Sequence, residues 1–123
     1  MAGRTDASRP HAVCATADLA PGERRIVELA GRSIGVFNVN GRFYALHNRC
    51  PHKGGALCAG RITGTVLPTT GRSFTYGREG EIIRCPHHGW EFEIATGRAL
   101  ADSRVCARTY PVSVETGQVV VTV

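Results

Sequence analysis

Two short stretches hold the residues best suited to bind a metal. The first reads Cys50-Pro51-His52-Lys53-Gly54-Gly55 and the second Cys85-Pro86-His87-His88-Gly89-Trp90. Each offers one thiol and one imidazole at short spacing, as Cys-x-His in the first and Cys-x-x-His in the second. Residues 53–84 separate the two sets. Two cysteines and two histidines can take one tetrahedral zinc ion. They can equally hold a [2Fe–2S] cluster, with both cysteines on one iron and both histidines on the other. Ligand type alone does not separate these outcomes.

The flanking residues add information. Gly54, Gly55 and Gly89 let the backbone approach a bulky inorganic core and present amide donors to it. Pro51 and Pro86 stiffen the loops and carry no amide hydrogen. A zinc finger needs a helix for its histidines, and no helical apolar period is present. His87, beside His88, reads as a rim residue, because the Cys-x-x-His spacing selects His88. His47 reads as a strand-end side chain and Cys58 as a small buried residue. Cys14 and Cys106 read as strand core positions. Trp90 and Phe92 read as aromatic packing beneath the second loop. Arg49 and Lys53 flank the first loop, where they can raise a redox potential, guide a partner or simply face water.

The elements that must position these loops are strands. Residues 24–29 and 33–39 are rich in β-branched side chains and broken by Gly31. Asn40-Gly41 then precedes residues 42–47, a strong hairpin signal. Near the C-terminus Tyr110, Val112 and Val114 alternate. Residues 115–118 turn, and Val119, Val121 and Val123 alternate back. Residues 60–80 are the least patterned. Within them Ser73 to Tyr76 suggest a short strand, and Gly77 to Gly80 a turn into the strand Glu81 to Arg84. The expectation is an all-β chain: a flexible tail over residues 1–11, then one domain over 12–123. The 123 residues suffice for one such core.

Composition narrows the function. The net charge is +5, carried by scattered arginines with Lys53 as the sole lysine, so nucleic-acid binding is not expected. No apolar run is long enough for a membrane helix, and the polar start lacks a signal core. Five cysteines, an odd number, argue against a disulfide framework and for a cytoplasmic setting.

The two boxes, with Gly97 downstream, resemble Rieske iron–sulfur domains, and in particular the Rieske-type ferredoxins of ring-hydroxylating oxygenase systems. The resemblance runs from about Arg24 to Val123. It implies an antiparallel β sandwich with a small cluster-binding subdomain. It also implies a [2Fe–2S] cluster held by Cys50 and Cys85 on the inner iron and by His52 and His88 on the outer. The implied activity is one-electron transfer from a reductase to a terminal oxygenase or similar redox enzyme, by a chain that is monomeric when free. An accessory subunit of a nitrite-reductase-like complex and a zinc-binding interaction module are the alternatives. Three departures from the family's patterns stand out. Residues 53–84 are longer than the corresponding stretch of compact ferredoxins, which implies an insertion at about 60–80; lengthening a loop costs little closure entropy. Gly55 and His87 occupy the positions of a cross-loop disulfide found in quinol-oxidising relatives. Trp90 and Phe92 stand where those high-potential proteins carry hydroxyls. Hydrogen bonds to cluster sulfur favour the reduced state. Without those two, the potential is expected near the low end of the Rieske range, at about −150 mV.

Overall fold

The computed structural model describes residues 8–51, 54–67, 75–87 and 89–123. Ten strands run in chain order: β1 (Pro10–Ala15), β2 (Arg24–Leu29), β3 (Arg32–Val39), β4 (Arg42–His47), β5 (Arg61–Leu67), β6 (Thr75–Arg84), β7 (Glu91–Glu93), β8 (Thr109–Tyr110), β9 (Val112–Glu115) and β10 (Gln118–Thr122). Among the described residues they form three antiparallel sheets, ordered β1-β10-β9, β2-β3-β4-β8 and β5-β6-β7. The only helical pieces there are two single 3-10 turns, Thr16–Asp18 and Leu57–Ala59. The all-β expectation holds.

Turn chemistry sets the hairpins. Asn40 and Gly41 take φ of 53° and 90° and join Val39 to its partner Arg42. A two-residue loop with both φ positive matches the right-handed twist of the strands it connects. The Asn38 side chain reinforces the bend, accepting from the Gly41 amide at 2.8 Å and donating to the Leu19 carbonyl at 2.8 Å. Asn38 is the one buried polar residue among those described, and both ends of its amide are satisfied.

In the middle sheet β3 is buried on both faces from Ile34 to Asn38. Ile34 and Val36 of β3, with Ala45 and Tyr110, pack against Cys14, Val119 and Val121 of the first sheet. Phe37 and Leu46 point the other way and pack with Ile83 and Phe92 of the third. Period-two alternation thus feeds two cores from one strand. The second core contains Cys50, Leu57, Cys58 and Cys85.

Two boundaries differ from expectation. Pro10 and His11, expected in the tail, lie in β1. Arg9 exchanges backbone hydrogen bonds with Val123 at 2.9 Å in each direction. An edge of β10 was open to pairing, and ladder bonds outweigh the polar composition there. Residues 60–80 contribute β5 and the start of β6, which pair as a hairpin, so Gly77 to Gly80 are not an inter-strand turn. Thr63 pairs with Ile82 and Thr65 with Gly77, so Arg78 to Glu81 bulge out opposite Gly64. Arg78, at φ 58°, holds the bulge by ion pairs to Glu81 at 3.1 Å and Glu93 at 2.7 Å. Of the separate short strand expected over Ser73 to Tyr76, Thr75 and Tyr76 lie in β6, and Ser73 and Phe74 lie outside the described residues.

Candidate metal centre

Each cysteine box follows the end of a strand. His47 closes β4 three residues before Cys50, and Arg84 closes β6 immediately before Cys85. The two loops then close in the same way. The Cys50 amide donates to the Gly55 carbonyl at 2.7 Å, and the Gly54 amide donates back to the Cys50 carbonyl at 2.7 Å. The Cys85 amide donates to the Trp90 carbonyl at 2.8 Å, and the Gly89 amide to the Cys85 carbonyl at 3.0 Å. Gly54 and Gly89 occupy the same place in the two closures, at φ 82° and 70°, where a β-carbon would be strained. The expectation that these glycines present amide donors to a metal is not met at Gly54 and Gly89, whose amides are taken by the cysteine carbonyls; closing the loops at positive φ is what requires glycine there.

The loops touch. A β-carbon added to Gly55 would overlap the His87 imidazole ring, so only glycine fits at that place while the ring stays. Gly55 and His87 therefore face one another across the loops. Cys50 and Cys85 are each 1% exposed and share one apolar cluster. His52, Lys53 and His88 lie outside the described residues. What is described fits an iron–sulfur core in its donor chemistry: two thiol side chains, withdrawn from water, at matching positions of two abutting glycine-bearing loops.

Cys58 is fully buried, as expected. Its thiol lies 3.6 Å from the Leu46 carbonyl and 3.8 Å from the His47 carbonyl, and burial pushes its pKa up to about 12. Gly35 of β3 makes the room, since a β-carbon there would stand 2.6 Å from the Cys58 side chain. Cys14 is buried in β1, also as expected. Cys106 is not a core position: it is exposed, in an isolated bridge with Arg98. Its neighbour Ala107 takes the inward place, because residues alternate sides there. N-Ethylmaleimide applied to the folded protein at pH 8 is therefore expected to modify Cys106 within minutes and to leave Cys58 unmodified until denaturation. Peptide mass spectrometry reads both sites, and early labelling of Cys58 would refute its burial.

His47 ends β4, and Tyr110 packs edge-on against it, with the hydroxyl 3.4 Å from Nδ1. Desolvation, then the charges of Arg108, Arg32 and Arg49, hold its pKa below the usual imidazole value. Phe92 is wholly buried under the second loop, and the Trp90 ring lies tilted 6.4 Å from it, which is the packing role expected of both.

Sequence reasoning missed the residues that brace the first loop. The Arg24 guanidinium, on β2, donates to the Cys58 carbonyl at 3.0 Å and also to the Gly60 carbonyl. The Asn48 side chain accepts from the Cys58 amide at 2.8 Å. Gly60 runs so close to the Arg84 carbonyl that a β-carbon would fall on it, which ties the segment after loop one to the strand entering loop two. No local pattern marks these contacts. Arg24→Met keeps the aliphatic stem but leaves two carbonyls without that donor. It is expected to cost about 1–3 kcal/mol in denaturant unfolding, and an unchanged midpoint would refute the brace.

Residues 9–111 match the model of the Rieske [2Fe-2S] domain. The chain belongs to the Rieske [2Fe–2S] domain family. Ferredoxin CarAc of Metapseudomonas resinovorans is 30% identical over 111 residues, with 89% of each chain covered. A chain in a solved complex of reduced oxygenase and oxidized ferredoxin in carbazole 1,9a-dioxygenase superposes with a TM-score of 0.70 at 30% identity, over 91% of both chains. A Mycobacterium tuberculosis chain assigned as the small subunit of an NADH-dependent nitrite reductase superposes with a TM-score of 0.71 at 26% identity, covering 96% of this chain and 97% of that one. This Rieske protein is thus an electron-transfer component that carries a [2Fe–2S] cluster, and not itself the enzyme of such a system. Among its described residues no helix is long and apolar enough to cross a membrane.

Proposed function

We propose that Cys50, His52, Cys85 and His88 hold the cluster, and that the chain passes single electrons from a reductase to a terminal oxygenase in the cytoplasm. The observation that supports the ligand set is the matched closure of two touching loops, each with a cysteine at 1% exposure. His52 and His88 are assigned from their sequence positions within those loops. The oxygenase partner is supported by likeness to a ferredoxin solved in complex with an oxygenase. The reducing setting is supported by the odd number of cysteines, five in all, which does not suit a disulfide framework.

The cluster supplies reversible one-electron chemistry with no open coordination site for substrate. The chain's own residues do the rest. The core around Cys50 and Cys85 excludes water from the thiolate side. The Gly54 and Gly89 amides are engaged in closing the loops, which fixes the backbone on which the ligands sit. Pro51, Pro86 and His87 are exposed, so the protein layer over the loop tips is thin and a redox partner can approach closely. Trp90 and Phe92 bring no hydroxyl to this region, which keeps the expected potential near about −150 mV.

The likeness to the nitrite reductase small subunit supports a second reading, in which the chain is a fixed subunit of a larger reductase. Anaerobic dithionite reduction followed by low-temperature electron paramagnetic resonance tests the cluster. A rhombic spectrum averaging below the free-electron g value is expected, and a colourless zinc-containing preparation would refute the proposal. Size-exclusion of the native complex separates the two readings: a carrier elutes alone, a fixed subunit with its enzyme.

A further inference from the structure

The two ligand loops share the residue that precedes the cysteine. They read Arg49-Cys50-Pro51-His52-Lys53-Gly54 and Arg84-Cys85-Pro86-His87-His88-Gly89. In both, the arginine folds back over the glycine four residues beyond the cysteine. A β-carbon on Gly54 would stand 3.3 Å from Arg49 Nη2, and one on Gly89 would stand 3.3 Å from Arg84 Nε and 3.4 Å from Nη2. The positive φ that demands glycine also leaves an open face, and a planar guanidinium lies on it. Each fork is thereby held against its own loop before any partner arrives, which reduces the ordering cost of pairing with an anion.

Charge accumulates around the same place. Arg49 and Arg84 are exposed, as are Arg32, Arg61 and Arg108. Arg61 stands opposite Arg84 in the β5–β6 register. Arg32 and Arg108 join Arg49 as the cations acting on His47. Glu91 lies opposite Arg84 on β7 and has interactions of its own. Between the arginines the exposed Pro51, Ala56 and Pro86 are uncharged. An uncharged centre with a charged rim is the anatomy of a transient protein interface.

We infer that Arg49 and Arg84 form a matched basic rim that docks this carrier on an acidic patch of its electron-exchange partner. The inference rests on the proposed function in that these loops are where the electron enters and leaves. It adds the sign of the partner's surface and the two residues that read it. Rim charges of this kind act mainly on the rate of productive encounter, and their effect fades with salt.

Voltammetry of the cluster-loaded protein on gold with a carboxylate-terminated monolayer tests this, the monolayer standing in for an acidic surface. Wild-type protein is expected to exchange electrons at about 10 mM salt and to lose the signal by about 0.5 M. R49Q/R84Q is expected to lower the exchange rate about tenfold or more, and R49K/R84K, which keeps the charge but not the held fork, to restore only part of it. R9Q/R42Q removes the same net charge at two exposed arginines, one just before β1 and one at the far end of β4 from Cys50. That variant is expected to stay within about twofold of wild type. Equal losses in the two Gln doubles would mean that net charge alone acts, and no loss in R49Q/R84Q would mean the rim does not dock; either overturns the inference. The rhombic resonance of each variant is recorded first. Its absence from wild type would instead strike the proposed function, and its persistence in R49Q/R84Q shows that a lost rate is not a lost cluster.

Discussion

Cys85→Ser yields a colourless protein with no reduced-state resonance and an iron content falling from about two per chain to near zero. The backbone of residue 85 is fully committed, its amide bonded to Trp90 and its carbonyl to Gly89, and serine preserves both bonds. The side chain sits at 1% exposure, so no water or buffer ion replaces the lost thiolate from outside. A serine hydroxyl is a harder donor that resists deprotonation, whereas iron–sulfur cores are held by soft thiolates. The loss therefore falls on the cluster before it falls on the loop. Cys58→Ala is the matched control. Cys58 is as deeply buried as Cys85 and in the same cluster, yet its thiol faces two backbone carbonyls. That variant is expected to keep its iron and lose on the order of 1 kcal/mol of stability. Iron analysis by plasma emission separates the pair. Full iron in Cys85→Ser would remove Cys85 from the ligand set, and full loss in Cys58→Ala would put Cys58 into it.

The contrast between those two cysteines marks how far the sequence could be read. Metal ligation demands particular residue types at particular spacing, so Cys50 and Cys85 stood out from a single chain. Turn chemistry is similarly local: Asn40-Gly41 and Thr116-Gly117 have the positive φ values their strands require, and both turns were legible. What depends on partners distant in sequence was not. Gly77 to Gly80 have the composition of a turn, but pairing with β5 carries the chain through as a strand with a bulge, and Arg78 binds Glu93 across it. Cys106 lies in a run whose alternation gave no fixed phase, and only the pairing of Arg98 with Cys106 puts its side chain outward. Consecutive burial from Ile34 to Asn38 follows from β3 lying in the middle of three sheets, which no amphipathic pattern reveals. Nothing near Arg24 in the sequence marks its role, because its guanidinium reaches a carbonyl 36 positions away.

Gly60→Ala is the mutation expected to damage the fold most for the least change in chemistry. The backbone at Gly60 has φ −74° and ψ 178°, which alanine adopts without strain. The cost is therefore wholly steric, since the added methyl would fall on the Arg84 carbonyl oxygen. Backbone on backbone cannot be relieved by a rotamer. Either the Leu57–Ala59 turn withdraws, taking the two carbonyls that Arg24 holds, or the end of β6 withdraws and carries Cys85 with it. Overpacking at a rigid contact costs about 3 kcal/mol at the upper end of its usual range, and a loss of that size lowers the apparent melting temperature by about 10 °C in a chain this long. Gly22→Ala supplies the comparison. Gly22 has φ 88° with nothing within 4 Å of an added β-carbon, so its penalty is the left-handed backbone alone, about 1–2 kcal/mol. Calorimetry at one scan rate should therefore rank Gly60→Ala well below Gly22→Ala. The redox consequence follows from the same contact: moving the end of β6 moves one ligand loop against the other, so the resonance of surviving Gly60→Ala protein broadens or is lost, while that of Gly22→Ala matches wild type. Equal melting temperatures for Gly60→Ala and wild type would show that the two segments do not meet at Gly60.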